Sequence, residues 1–154
     1  MPQVEITGID HIYVTVSDMS RSEAFYDPVM AMLGFKRSSG PLAGGDHHVH
    51  YFNRITQLTI RPAKDPSRAH DPLSPGLNHI CYRVPDEAQV DAAAAGLKGL
   101  GVDCTEPRLY PEYAPDYYAT FFTDPDGVRL EITNHRQERR EIVENWDAGP
   151  STPG

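Results

Sequence analysis

Ile9-Asp10-His11-Ile12-Tyr13-Val14-Thr15-Val16 and Leu77-Asn78-His79-Ile80-Cys81-Tyr82-Arg83-Val84 are two versions of one segment, and reading them as a repeat decides the fold. The two histidines lie 68 positions apart. Leu33-Gly34-Phe35 returns as Leu100-Gly101-Val102 after 67 positions, and Gln57-Leu58-Thr59-Ile60 matches Glu131-Ile132-Thr133-Asn134 after 74. Matching order at a nearly constant offset is the signature of a duplicated structural unit, with small drifts where loops differ in length.

Both opening segments alternate in polarity, as a half-buried strand does. A helix follows each. In the first copy Ser20-Arg21-Ser22-Glu23 fits a capping box ahead of an apolar stripe of Phe25, Val29, Met32 and Leu33. Pro28 inside that stripe predicts a kink or a division of the helix. In the second copy Asp86 can start the helix, and Val90, Ala93, Leu97 and Leu100 recur at helical spacing. Gly34 and Gly101 stand where a left-handed C-terminal cap is preferred.

Three extended segments complete each copy, at about 35–39, 47–53 and 55–61 and then at about 102–105, 117–123 and 128–134. Asp124-Pro125-Asp126-Gly127 supplies turn chemistry between the last two. The expected fold is therefore α+β, two tandem βαβββ modules forming a curved mixed-sheet cup with helices outside. One domain spans 1–135, with module 1 at about 8–62, a Pro-, Asp- and Ser-rich linker at 63–76 and module 2 at about 77–135. In the remaining tail, 136–154, Gln137 to Trp146 reads as a short polar helix and Gly149 to Gly154 as frayed.

Strand residues alternate between two faces. Ile12, Val14 and Val16 suit packing under a helix, which leaves His11, Tyr13 and Thr15 opposite. Likewise His79, Cys81 and Arg83, then Arg129, Glu131 and Thr133, and then Gln57, Thr59 and Arg61 share polar faces. Four strands thus carry one potential ligand each: His11, Gln57, His79 and Glu131. Two imidazoles and a carboxylate can occupy one side of a divalent ion and leave open positions for substrate oxygens. A neutral amide is a weak donor, so Gln57 either coordinates or hydrogen-bonds a bound water.

The repeat, the Asp10-His11-Ile12 opening, Phe25-Tyr26 before Leu33-Gly34-Phe35, Asn78-His79-Ile80 and the closing Asp124-Pro125-Asp126-Gly127-Val128-Arg129-Leu130-Glu131 resemble the vicinal oxygen chelate superfamily. That superfamily includes glyoxalase I, extradiol dioxygenases, fosfomycin-modifying transferases, epimerases and bleomycin-binding proteins. The resemblance spans about residues 8 to 134 and implies ligands at the positions of His11, Gln57, His79 and Glu131. Glyoxalase I usually has Glu where this chain has Gln57.

The function expected on these grounds is a glyoxalase-I-like lyase or isomerase. A divalent metal (Zn, Ni, Co, Mn or Fe(II)) would stabilise an enediolate, Glu131 would act as base, and Tyr13 or Tyr118 would assist. An extradiol-type Fe(II) dioxygenase and a non-enzymatic drug-binding protein are the alternatives; a fosfomycin-type transferase also stays open, although the sequence shows no distinctive thiol-binding or monovalent-cation motif. Arg61, Arg83 and Arg129 on the polar faces could hold a carboxylate or phosphate, or pair with local acids. In His47-His48-Val49-His50, His48 and His50 share one face. Either could act in acid–base chemistry, although a solvated edge strand is the plainer reading. Tyr110 to Tyr118, with two prolines, is a candidate lid or simply a packed loop. Cys81 is a candidate pocket thiol or a small core residue.

The net charge of −8 argues against a nucleic-acid partner. No stretch is apolar enough to span a bilayer, and the first residues lack secretory-signal character. Cys81 and Cys104 read as free thiols. A cytoplasmic homodimer acting on a small molecule, away from membranes, is the expectation.

Overall fold

The structure is a computed structural model and describes residues 4–41 and 45–148. Gly149 to Gly154 lie outside the described residues. The described residues form two mixed four-stranded sheets and three α-helices, as tandem βαβββ modules. Module 1 contains β1 (His11–Val16), α1 (Met19–Met32), β2 (Lys36–Pro41), β3 (His47–Phe52) and β4 (Gln57–Pro62). Module 2 contains β5 (His79–Val84), α2 (Glu87–Gly99), β6 (Arg108–Leu109), β7 (Tyr118–Thr123) and β8 (Arg129–Asn134). α3 (Gln137–Glu144) and a 3-10 turn (Trp146–Ala148) follow.

The strand orders are β1-β4-β3-β2 and β5-β8-β7-β6. In each module the first and last strands pair in parallel, and the remaining neighbours are antiparallel. That pairing follows from the connection: the helix carries the chain across the sheet, and two hairpin steps bring the last strand back beside the first.

Tertiary contacts divide the chain into two units. The first runs to Gly76 and also takes in the turn Asp124–Val128, and the second holds the rest. In the first unit Val14, Val16, Tyr26, Val29, Met30, Val49, Leu58 and Ile60 are buried. In the second, Ile80, Val90, Ala94, Leu97, Phe122, Leu130 and Ile132 are. Each fully buried aliphatic or aromatic side chain contributes about 1.5–3 kcal/mol.

Several local expectations are corrected. α1 begins at Met19, because Asp18 is the N-cap and its carboxylate accepts from the Arg21 N–H at 3.0 Å. An acidic cap is at least as good as the expected Ser20. The helix runs through Pro28 as one element rather than being divided there. α2 is capped by Asp86, as the sequence suggested. Gly34 and Gly101 adopt φ of 83° and 75°. The next N–H in each case, Phe35 or Val102, reaches back to Met30 or Leu97 at 2.9 Å, closing the helix end in a Schellman-type turn.

The extended segment expected at 102–105 is reduced to a single bridge between Cys104 and Phe122. There the Thr105 N–H donates to the Phe121 carbonyl at 2.9 Å, while the Phe121 N–H goes to the Thr105 hydroxyl instead of a backbone carbonyl, and regular pairing resumes only at β6. The turn Asp124–Val128 closes on α1. Tyr26, wholly buried, donates its hydroxyl to Asp124 Oδ2 at 2.8 Å. Asp126 accepts from the Ser17 N–H at 2.9 Å and from Arg21 at 2.8 Å. Among the described residues no helix is long and apolar enough to cross a membrane.

Candidate functional site

Each module carries a polar sheet face opposite its helix. In module 1, β1 presents His11, Tyr13 and Thr15, while Val14 and Val16 are buried. The His11 Nδ1 lies 2.6 Å from Asp10 Oδ2. A carboxylate oxygen only accepts, so this contact places a proton on Nδ1 and leaves Nε2 of the neutral ring with its lone pair. The His11 ring meets Tyr13 edge-on at 5.5 Å, Tyr13 meets His48 at 5.8 Å, and His48 lies 6.3 Å from His50. His48 is buried, and its pKa is lowered by desolvation and then by the nearby Arg61 charge.

Thr59 sits under this face, fully buried. Its Oγ1 accepts from Gln57 Nε2 at 3.0 Å and is 2.9 Å from His50 Nδ1. Arg61 is engaged by Asp46 at 2.6 Å, so the charge expected to meet a substrate anion is already opposed.

Module 2 repeats the histidine arrangement. His79 Nδ1 lies 2.7 Å from Asn78 Oδ1, which again puts the proton on Nδ1, and Nε2 stands 3.3 Å from Glu131 Oε2. The Glu131 side chain is 3% exposed. Its other oxygen, Oε1, accepts from the Tyr117 hydroxyl at 2.5 Å. Burial, then the bond to Glu131, pushes the Tyr117 phenol well above the ordinary tyrosine range. Cys81 faces Glu131 across the β5–β8 ladder. Loss of hydration around its sulfur, then the Glu131 charge, pushes its thiol up to about 12.

Tyr118 is elsewhere. Its hydroxyl donates to Asp91 of α2 at 2.8 Å, and that bond, then desolvation, pushes it up to about 12. The β7–β8 register explains the difference. Phe121 faces Glu131, so by alternation Ala119 and Tyr117 lie on the Glu131 side and Tyr118 lies on the helix side. Counting back from Phe121 finds Tyr117, but only once the pairing is known. Arg83 and Arg129 are exposed on β5 and β8, with Arg129 directly opposite His79.

The ladders also revise the correspondence between modules. Gln57 pairs with His11 as Arg129 pairs with His79. Thr59, opposite Tyr13, therefore takes the place that Glu131 takes opposite Cys81. The match of Gln57 to Glu131 slips by two residues. Such a slip keeps every side chain on its own face, which is why alternation could not detect it. Among the described residues, neither module by itself gathers three His, Cys, Asp or Glu side chains into a metal-holding cluster.

The Tyr110 to Tyr118 segment packs as a row of rings. Phe121, Tyr110, Tyr113 and Tyr117 follow one another at centroid distances of 5.3, 5.7 and 5.3 Å. The Arg136 guanidinium lies 5.1 Å over the Tyr117 ring.

The chain belongs to the glyoxalase/bleomycin resistance protein/dioxygenase superfamily, whose family model matches residues 8–132. It is 33% identical over 136 residues to the uncharacterised protein YaeR of Escherichia coli (strain K12), covering 80% of this chain and 93% of YaeR. It is 28% identical over 141 residues to the metallothiol transferase FosB of Staphylococcus epidermidis, covering 90% and 89%. Among solved structures, the fosfomycin resistance protein FosX of Listeria monocytogenes, crystallised with Mn(II) and sulfate, superposes with a TM-score of 0.60 at 19% identity, covering 88% of this chain and 98% of FosX.

Proposed function

We propose that the protein is a divalent-metal-dependent enzyme acting on a small substrate with adjacent oxygens, with His11, His79 and Glu131 as the metal donors. The observation that supports this most is the 3.3 Å approach of His79 Nε2 to Glu131 Oε2. With Nδ1–H committed to Asn78, the neutral form of the ring turns its Nε2 lone pair toward a carboxylate oxygen. In that form both atoms offer lone pairs at a separation that one divalent ion can bridge, so the donor set suits a metal ion. His11, held by Asp10 in the same way, is the third donor, supplied by this chain or by a second copy.

A bound divalent ion would supply Lewis acidity toward the substrate oxygens. The chain's own groups do the rest. Asp10 and Asn78 hold their histidines in the tautomer with Nε2 free. Tyr117 holds Glu131 through its hydroxyl.

Thr59 bears on the reaction. With a hydroxyl where module 2 has a carboxylate, the ligand set holds a single negative charge and no second carboxylate base. This favours transfer of an external thiol to a substrate held through its oxygens, in keeping with the name metallothiol transferase that FosB carries. Glyoxalase-type isomerisation is the second reading, favoured by the Glu131–Tyr117 pair as an acid–base couple.

The test is metal analysis and calorimetric titration of the metal-free protein with Mn(II) and Zn(II), then assays of the loaded protein. Thiol consumption in the presence of fosfomycin supports the first reading, and hemithioacetal turnover supports the second. Oxygen uptake on a catechol would replace both with dioxygenation. Failure of His79→Ala to weaken metal binding would remove the site altogether.

A further inference from the structure

We propose that Tyr117 is a positioning residue for Glu131, holding Oε1 through its hydroxyl so that Oε2 alone is presented on the His79 side. The inference rests on the reading of Glu131 as a metal donor.

The geometry divides the carboxylate. Oε1 accepts from the phenol at 2.5 Å, and Oε2 faces His79 Nε2 at 3.3 Å. At 3% exposure the Glu131 side chain has little access to water, so the protein must supply whatever donor it has. A carboxylate with one oxygen engaged cannot turn about its terminal torsion without breaking that bond. It is thereby set for coordination through a single oxygen.

Tyr117 is itself held in place. Its N–H donates to the Ala114 carbonyl at 3.1 Å, and its carbonyl accepts from the Tyr110 N–H at 2.7 Å. The Tyr113 ring packs against it edge-on at 5.3 Å, and Arg136 covers its face at 5.1 Å. The phenol is therefore presented by a fixed turn. Such outer partners set the orientation of a ligand, and their loss typically costs about 10- to 100-fold in metal affinity.

The test uses Co(II), whose visible spectrum reports its coordination, titrated into the full-length metal-free protein. Tyr117→Phe is expected to weaken binding by about 10- to 100-fold and to alter the Co(II) bands, with the thermal melt of the metal-free protein little changed. Tyr118→Phe, whose hydroxyl goes to Asp91, is expected to keep the original affinity and spectrum. Glu131→Gln should lose binding. If Tyr117→Phe melts early, Tyr117→His, which restores a ring N–H, carries the comparison and should recover part of the affinity.

Unaltered affinity and bands in Tyr117→Phe, with binding lost in Glu131→Gln, would overturn the role of Tyr117 and leave the donor assignment standing. Unaltered binding in Glu131→Gln, or none in the original protein, would overturn both.

Discussion

Thr59 and Glu131 hold the same ladder position in their modules, Thr59 opposite Tyr13 and Glu131 opposite Cys81, each on the polar face of a final strand. Both are buried. One is a carboxylate beside a histidine, and the other is a hydroxyl engaged by Gln57 and His50. The duplicated sheet has thus kept its first-strand histidine in both modules and a last-strand carboxylate in only one.

Gln57 is accordingly not expected to be a ligand. Gln57→Ala should leave Mn(II) affinity within about twofold while removing a side-chain hydrogen bond worth about 0.5–1.5 kcal/mol. Parallel calorimetric titrations and urea melts check this. A loss of affinity beyond tenfold would restore Gln57 to the coordination set.

The residue before each histidine should matter to metal binding although it touches no metal. Asp10→Ala and Asn78→Ala each free a ring to change tautomer, and each should weaken binding by about 10- to 100-fold. Titration of the metal-free variants reads this directly. Two variants indistinguishable from the original protein would mean that the Nδ1 contacts do not set the tautomer.

Tyr26 should contribute substantially to stability. Its wholly buried hydroxyl donates to Asp124, so Tyr26→Phe leaves a buried carboxylate short of a donor. The expected loss is about 1.5–3 kcal/mol, the range for hydrogen bonds to charged groups. It should appear in urea unfolding as a lower midpoint at unchanged slope.

Asp124 should also give the fold a specific pH dependence. Burial raises its pKa, outweighing the hydrogen bonds from Tyr26, Val128 and Asp126 that lower it. The folded state therefore binds this proton more tightly than the unfolded state. The resulting stability is full below the unfolded carboxyl value of about 4 and is lost as pH rises through the raised folded value. Against Asp124→Asn, which cannot ionise, the original protein should lose relative stability as pH goes from about 4 to 7. Urea melts of both proteins across that range would show it, and a relative gain would mean that the hydrogen bonds dominate.

Much of this is legible in the sequence alone. The repeated strand–helix order, both histidines, Glu131, the Asp86 cap and the two glycine-ended helices follow from local patterns, because strand alternation, capping and left-handed turns depend on residues close in the chain. The same rules separate polar from apolar faces, so His11, His79, Cys81 and Glu131 could be assigned to theirs.

Pairing register is a different kind of information. It relates strands far apart in sequence, and a slip of two residues costs alternation nothing, so Gln57 stood where Thr59 belongs. It also decided that Tyr117, and not Tyr118, reaches Glu131, since the parity of β7 is set only by its partner strand. The turn Asp124–Val128 announced itself as a turn, but its bonds to Ser17, Arg21 and Tyr26 join residues about a hundred positions apart. The chain by itself determined which side chains are available for the chemistry and which faces they take. Which of them meet was decided by tertiary pairing, because hydrogen bonds between distant strands have no local trace in the sequence.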